Sequence, residues 1–255
     1  MTRRRWIADE FSQDRAALTG AHAAHLSRTL RARVGEEFEV ACGEQVRRAT
    51  VSSVSEQRVE FSLGEEISTR EAVPITLWLA IFKFDRMEWA IEKCTELNAT
   101  MIVPLIARRT EKHLALSAAK RVDRWRRIAR EAAEQSRRTS FPEIHEPVSL
   151  KEALARYPST NAVSPRGGIC GSSFGSLSIV LSETERAVSL LELLRSRDDL
   201  SSLTLAIGPE GGWTWEELQL FTSAGWLTTS LGDTILRAET AAIAALAIAR
   251  AEFWG

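Results

Sequence analysis

Residues 205–218 read LAIGPEGGWTWEEL, and residues 230–250 read SLGDTILRAETAAIAALAIAR. In each, a short apolar run stops at a glycine-bearing turn and a helical pattern follows. In the first, Ile207 closes the run and Gly208 and Pro209 turn the chain. Gly211 and Gly212 permit backbone conformations that other residues resist, and Thr214 is placed to cap a helix starting at Trp215. The second repeats the pattern at Gly232 and sets Arg237, Glu239 and Thr240 at the mouth of an apolar, alanine-rich helix. Ligands of open α/β sheets gather beyond the strand ends, where such turns let backbone approach them. The first turn lacks the Gly-Lys-Ser/Thr ending of a phosphate-binding loop and does not match the G-x-G-x-x-G dinucleotide fingerprint.

Upstream of these turns the same alternation continues. ITLWLAIF (residues 75–82) is an apolar run of buried-strand type. In the next segment Met87, Ile91, Cys94 and Leu97 recur at helical spacing, with Asp85 as expected N-cap and Asn98 as C-cap. TMIVPLI (100–106) predicts a strand, and residues 117–136 predict a helix with Val122, Trp125, Ile128 and Ala132 inward. LSIVLS, LTLAIG and LTTSLG supply further strands. Strand–helix alternation indicates an α/β domain over residues 73–255, with a mostly parallel sheet and helices on both faces. Residues 157–175 are polar and glycine-rich and read as a loop.

Residues 1–72 differ. EEFEVA, RRATVSSVS and QRVEFSLGEE alternate with period two between polar turns, the pattern of antiparallel strands in a small barrel. A helix is expected before them over AHAAHLSRTLRARVG, with Ala24, Leu26 and Leu30 on one face and Gly35 as its C-cap.

A length of 255 residues suits one or two domains, and 44% hydrophobic residues suffice for a substantial core. No apolar run has membrane-span length, and the start MTRRRWIADEF lacks the apolar core of a signal peptide, so a cytoplasmic protein with no membrane partner is expected. Cys42, Cys94 and Cys170 form neither a disulfide framework nor a metal cluster. The four histidines are not ligand-spaced, and no metal is expected. The formal net charge of −1 conceals a strongly basic stretch from Arg108 to Arg138, broken only by Glu111, Asp123, Glu131 and Glu134. Such a field suits a polyanion, though a solvated helix face laced with ion pairs has the same composition.

Five blocks in order, HLSRTLRARVGEEFEV, KFDRMEWAIEKCTEL, EAAEQSRRTSFPEI, AIGPEGGWTWEEL and LGDTILRAETAA, resemble the ribosomal RNA small subunit methyltransferase E family of the SPOUT superfamily. The resemblance runs through nearly the whole chain. It implies a PUA-like RNA-binding β-barrel (1–72) followed by a SPOUT methyltransferase domain (73–255) whose C-terminal segment forms a trefoil knot. It also implies a homodimer that binds S-adenosyl-L-methionine in the knot and methylates N3 of a uridine near the decoding centre in 16S rRNA of the 30S subunit.

Carried over by motif, Gly208, Pro209, Glu210, Gly211, Gly212, Leu231, Gly232, Ile235, Leu236, Arg237 and Thr240 are cofactor-binding residues. Arg237 is the first candidate to stabilise charge on the uracil oxygens, and Glu210 or Glu239 to accept the N3 proton. For Glu239, a carboxylate favoured by the helix dipole explains the position equally well. Gln135 and Arg138 match the family's substrate block. Arg121, Arg124 and Arg127, and more distantly Arg28 and Arg31, are expected to track phosphates. Lys93 and Glu96, three apart, are expected to pair on a helix face. Three departures stand out: Asn98 where the family has glycine, Arg137 for a small residue, and Asp233-Thr234 where a cation is common. The rival readings are a methyltransferase of the same fold acting on another RNA, such as a tRNA ribose hydroxyl, and a non-catalytic RNA-binding assembly factor.

Overall fold

The computed structural model describes residues 5–43, 45–67, 73–159, 175–197 and 200–253. Most of the predicted 157–175 loop, with Cys170, lies outside them. The chain divides into two compact units, one of residues 1–71 with 130–141, the other of residues 72–129 with 142–255.

The first unit contains β1 (Arg5–Ile7), β2 (Glu10–Phe11), β3 (Arg15–Thr19), helix α1 (Gly20–Ala24) with a π-helical continuation His25–Thr29, β4 (Glu37–Cys42), β5 (Gln45–Val54) and β6 (Arg58–Ile67). The strands form one sheet in the order β1-β4-β5-β6-β3-β2, antiparallel except at β1–β4. This is the small β-domain expected from the period-two alternation. Trp6, Leu18, Leu26, Val40, Val51, Val59 and Phe61 form its main core, and Ile7, Ala41 and Val46 pack with Ala133 in a smaller cluster.

The expected helix ends sooner than its sequence suggests. Leu30 is 49% exposed, and Arg31, not Gly35, takes the left-handed conformation (φ 53°) that stops it. Gly35 (φ 90°) instead turns the chain into β4, its N–H donating to Val51 O at 2.9 Å. The period-3.6 signal was too short to fix a C-terminus against the pull of the following hairpin.

The second unit runs β7 (Ile75–Ala80), α2 (Phe84–Glu96), β8 (Ala99–Ile106), α3 (Lys112–Ser117), a 3-10 turn Ala118–Arg121, α4 (Val122–Gln135), β9 (Glu143–Ile144), β10 (Val148–Ser149) and α5 (Leu150–Arg156). It continues through β11 (Gly175–Leu181), α6 (Leu190–Arg195), β12 (Leu200–Ile207), α7 (Trp215–Ser223), β13 (Leu227–Thr229) and α8 (Ala238–Phe253). The last residues of α4, from Arg130, cluster with the first unit. Lys83, not Asp85, precedes α2 as N-cap, leaving Asp85 in the first turn, while Asn98 follows the Leu97 C-cap at φ 70°. Asparagine tolerates that geometry better than most residues.

The sheet order is β10-β8-β7-β12-β11-β13, with β9 on β8 and every pair parallel. Alternate residues of each strand point to opposite faces. Leu77, Leu79, Ile102, Ile179, Leu203 and Leu205 meet α2, α6, α8 and the start of α4 in one core. Trp78, Ala80, Val103, Leu105, Val180 and Ala206 meet α5 and α7 in the other, where Trp78, Phe221 and Trp226 pack with ring centroids 4.5–6.3 Å apart. Both faces are therefore covered, which explains the unbroken apolar runs. Ala242, Ala245 and Ala249 are fully buried, and their small side chains let α8 lie close on α2. Arg250 Nη1 then donates to Glu96 O at 3.3 Å, at the C-terminal end of α2 where a cation is favourable.

Cys94 faces this core, and burial pushes its thiol up to about 12. Because the thiolate is the reactive form, Cys94 should resist iodoacetamide at pH 8 in the native protein and react once unfolded, as peptide mass spectrometry would read.

Candidate functional site

Four parallel strands release the chain at the same sheet edge, and a cavity of about 290 Å³ lies there. Its wall comes from the ends of β11 and β12 with the segments that follow (Leu181–Thr184; Ile207–Glu210, Gly212 and Trp213), and from the segment after β13 (Ser230–Gly232 and Thr234–Ala238). Arg86 joins from the first turn of α2 and Ala241 from α8.

The turn after β12 is built from its own sequence. Gly212 N–H donates to Pro209 O at 2.8 Å, closing a tight turn, and Gly212 holds φ 70°. At Gly208 a Cβ would stand 3.2–3.4 Å from the Trp213 indole. That indole is fixed, because its Nε1 donates to Leu181 O at 3.1 Å and so ties this loop to the end of β11. Thr214 caps α7 in a capping box with Glu217. Glu217 is only 2% exposed and also accepts from Arg108 N at 2.8 Å, so its buried charge is fully engaged. The segment after β13 is held in turn: Ser182 N–H donates to Thr229 O and Ser230 N–H to Val188 O.

Of the residues singled out from the sequence, Gly208, Pro209, Glu210, Gly212, Leu231, Gly232, Ile235, Leu236 and Arg237 line the cavity. Gly211 and Thr240 stand outside its wall. Gly211 O instead accepts from Arg109 Nη1 at 2.6 Å, and Thr240 is exposed on α8. Glu239 is 5% exposed in the first turn of α8 and also stands outside the wall. Its Oε1 lies 3.7 Å from Arg86 Nε, while Arg86 Nη1 donates to Glu210 Oε1 at 2.8 Å. Arg237 is exposed at the cavity; its backbone O accepts from Ala241 N at 2.8 Å, while its guanidinium pairs with no carboxylate among the described residues.

Sequence reasoning missed Arg86, Glu183 and Trp213. Arg86 sits inside the KFDRMEW block, and Glu183 follows a predicted strand, so the strand-end logic applied to the two glycine turns would have reached both. Thr234, noted only as a departure, is part of the wall.

The RNA candidates fare unevenly. Arg124 Nε meets Glu88 at 2.7 Å, and Arg121 reaches the same carboxylate at 4.0 Å while lying over the Phe84 ring. Arg127 and Gln135 are exposed. Arg138, 8% exposed, is buried and does not present an open guanidinium to solvent. Arg28 pairs with Glu56, which lowers that carboxyl below its ordinary range, and Arg31 is the exposed left-handed residue that ends its helix. Lys93 bonds Glu96 at 2.8 Å as expected, and Glu92 as well.

A parallel sheet covered on both faces, with a glycine-turned cavity at its carboxyl edge, defines an α/β domain of the ligand-binding kind. Residues 69–250 match the family model described as "RNA methyltransferase domain". Ribosomal RNA small subunit methyltransferase E of Mycobacterium tuberculosis is 33% identical over 242 residues, covering 91% of this chain and 84% of the relative. The Synechocystis protein of the same name is 32% identical over 232 residues, covering 90% and 71%. The crystal structure of the Neisseria gonorrhoeae protein of that name, bound to S-adenosyl methionine, superposes with a TM-score of 0.80 at 29% identity, covering 98% of this chain and 97% of that one. The chain belongs to the ribosomal RNA small subunit methyltransferase E family.

Gly212→Ala is expected to destabilise the protein by about 1 kcal/mol, because an alanine resists the left-handed backbone there. The Glu183 carboxylate, whose Oε1 would be 2.9 Å from the new Cβ, is exposed and can move aside at little cost. Urea unfolding would measure the difference.

Proposed function

We propose that the chain methylates N3 of one uridine in 16S rRNA of the small ribosomal subunit, near the decoding centre, with S-adenosyl-L-methionine as donor. The observation that carries this reading is the cavity at the sheet's carboxyl edge, in a chain of this family. Its lining suits that cofactor. Ile207, Leu231 and Leu236 offer an apolar slot for an adenine, and glycine turns leave backbone N–H and C=O groups accessible. Glu183 and Glu210 oppose Arg86 and Arg237, a mixture of signs matched to a ligand that carries both. When bound, the cofactor supplies a methyl group made electrophilic by the adjacent sulfonium.

The protein's own task is to hold the base and manage its proton. The N3 imide is a poor nucleophile until it loses that proton, and the charge then spreads onto O2 and O4. Arg237, exposed and unengaged at the cavity, is the group we assign to that charge. Glu210, whose carboxylate borders the cavity, is assigned to accept the proton. Glu239, buried in the first turn of α8, serves the structure, favoured by the helix N-terminus. Gln135, in the first unit, and Arg127, in the second, contact RNA, with Arg121 and Arg124 able to exchange Glu88 for phosphate. Arg138, being buried, shapes the loop behind Gln135.

In the same reading, residues 1–72 form a PUA-like RNA-binding domain and 73–255 a SPOUT domain. The insertion of β12 between β7 and β11, both earlier in the chain, supports a threaded C-terminal segment. The exposed apolar side chains of Ile235 (81%) and Trp215 support a homodimer.

Mass-spectrometric mapping of small-subunit RNA, from cells with and without this protein, tests the reaction. One N3-methyluridine dependent on the protein is expected; methylation of a ribose, of another RNA, or none would overturn the proposal. Arg237→Ala should lower kcat by about 10²–10³ while leaving the unfolding transition in place.

A further inference from the structure

We propose that Arg86 is a positioning residue that clips together two walls of the cavity and thereby sets affinity for the methyl donor. The inference rests on the proposed function, since it takes S-adenosyl-L-methionine as the ligand.

Arg86 projects from the first turn of α2 and lines the cavity. Its Nη1 donates to Glu210 in the β12–α7 loop at 2.8 Å, and its Nε lies 3.7 Å from Glu239 in the first turn of α8. The two acids belong to the two glycine-turned segments, 205–218 and 230–250. Arg86 and Glu210 are each about one-third exposed, and Glu239 is almost wholly buried, with its Oε2 meeting no hydrogen-bond partner among the described residues. One guanidinium therefore stands within 4 Å of two carboxylates that, left to themselves, repel.

Two consequences follow from the chemistry. Removing Arg86 leaves like charges facing one another between the turn after β12 and the first turn of α8, so the two segments move apart. Lysine cannot replace it fully. An ammonium can pair with Glu210 as a point charge, but it lacks the planar fork that serves two acceptors from two nitrogens. Arg86 is thereby distinguished from Arg237, the other cavity cation, which has no carboxylate partner among the described residues.

The experiment uses the full chain with three variants: Arg86→Ala, Arg86→Lys and Arg86→Ala combined with Glu210→Gln. Hydrogen exchange of the cofactor-free protein is read at the amides of residues 208–214 and 230–239, and S-adenosyl-L-methionine affinity by calorimetry. Arg86→Ala should accelerate exchange in both segments together, leave the sheet amides protected, and weaken binding about tenfold. Arg86→Lys should fall between, and the double variant should recover part of both losses by removing the repulsion.

Equal exchange in wild type and Arg86→Ala, or acceleration in only one segment, overturns the proposal. So does a double variant no better than the single one. If Arg86→Ala does not fold, Arg86→Lys decides: wild-type exchange in both segments and wild-type affinity refute the clip. Wild-type protein that fails to bind the cofactor refutes the proposed function instead, while the exchange measurement still judges the clip.

Discussion

Parallel pairing of β7, β12, β11 and β13 is the constraint from which the site follows. In a parallel sheet every strand delivers its carboxyl end to one edge, whatever the order in which the chain visits the positions. Arg86, Glu183, Glu210 and Arg237 span about 150 residues of sequence, yet the β7–β12, β11–β12 and β11–β13 registers bring the segments that carry them to one cavity. The pairing is enforced by burial on both faces. A one-residue slip of β12 would move Leu203, Leu205 and Ile207 out of one core and Ala206 out of the other. The cavity is thus specified by side chains that never touch it.

Edge placement alone would leave loose loops, and the structure adds specific ties. The Trp213 indole reaches Leu181 O, Ser182 N–H reaches Thr229 O, and Arg86 reaches Glu210 and approaches Glu239. Each is modest by itself: a neutral hydrogen bond contributes about 1 kcal/mol net. Their value lies in what they join, since each connects segments that follow different strands. Glu217 belongs to the same economy of parts. Its buried carboxylate accepts from the N–H groups of Thr214 and Arg108, so the charge that caps α7 also fastens the chain just after β8.

Much of this is legible in the sequence. The period-two alternation of residues 36–67, the apolar runs and the helical spacing of Met87, Ile91 and Cys94 each recorded a burial pattern, and burial is what sequence periodicity encodes. The GPEGG turn was legible because glycine and proline report backbone geometry locally. The place of Arg86 near a strand end was legible, but its pairing was not, because that depends on carboxylates 124 and 153 positions away. Nor was the clustering of residues 130–141 with the first unit, where Arg130 reaches Asp9 at 2.8 Å and Ile7 O at 2.8 Å. Helical periodicity shows which face of α4 is apolar and is silent on what that face meets. At Gly35 and Arg31 the sequence misled, since a non-glycine in the left-handed region is the rarer outcome.

The basic stretch shows how composition and structure weigh differently. Residues 108–138 carry a large excess of cations, which on counting alone would suit a strongly salt-dependent grip on RNA. Many of those cations are already occupied. Arg121 and Arg124 share Glu88, Arg126 meets Asp123 and Glu146, and Arg130 meets Asp9 and Glu134. An arginine held by a carboxylate must exchange one anion for another to bind phosphate, so it releases fewer counterions than a solvated one. The exposed pairs are each worth roughly 1 kcal/mol or less, a barrier that phosphate can overcome at Arg121 and Arg124. Arg130, one-sixth exposed and joined to two acids and a carbonyl, is committed to the fold. The charge that α4 has free for a polyanion is therefore smaller than its composition suggests. In the proposed function, recognition therefore draws on the base at the cavity, beside the unpaired Arg237 guanidinium, more than on the general attraction of a basic helix.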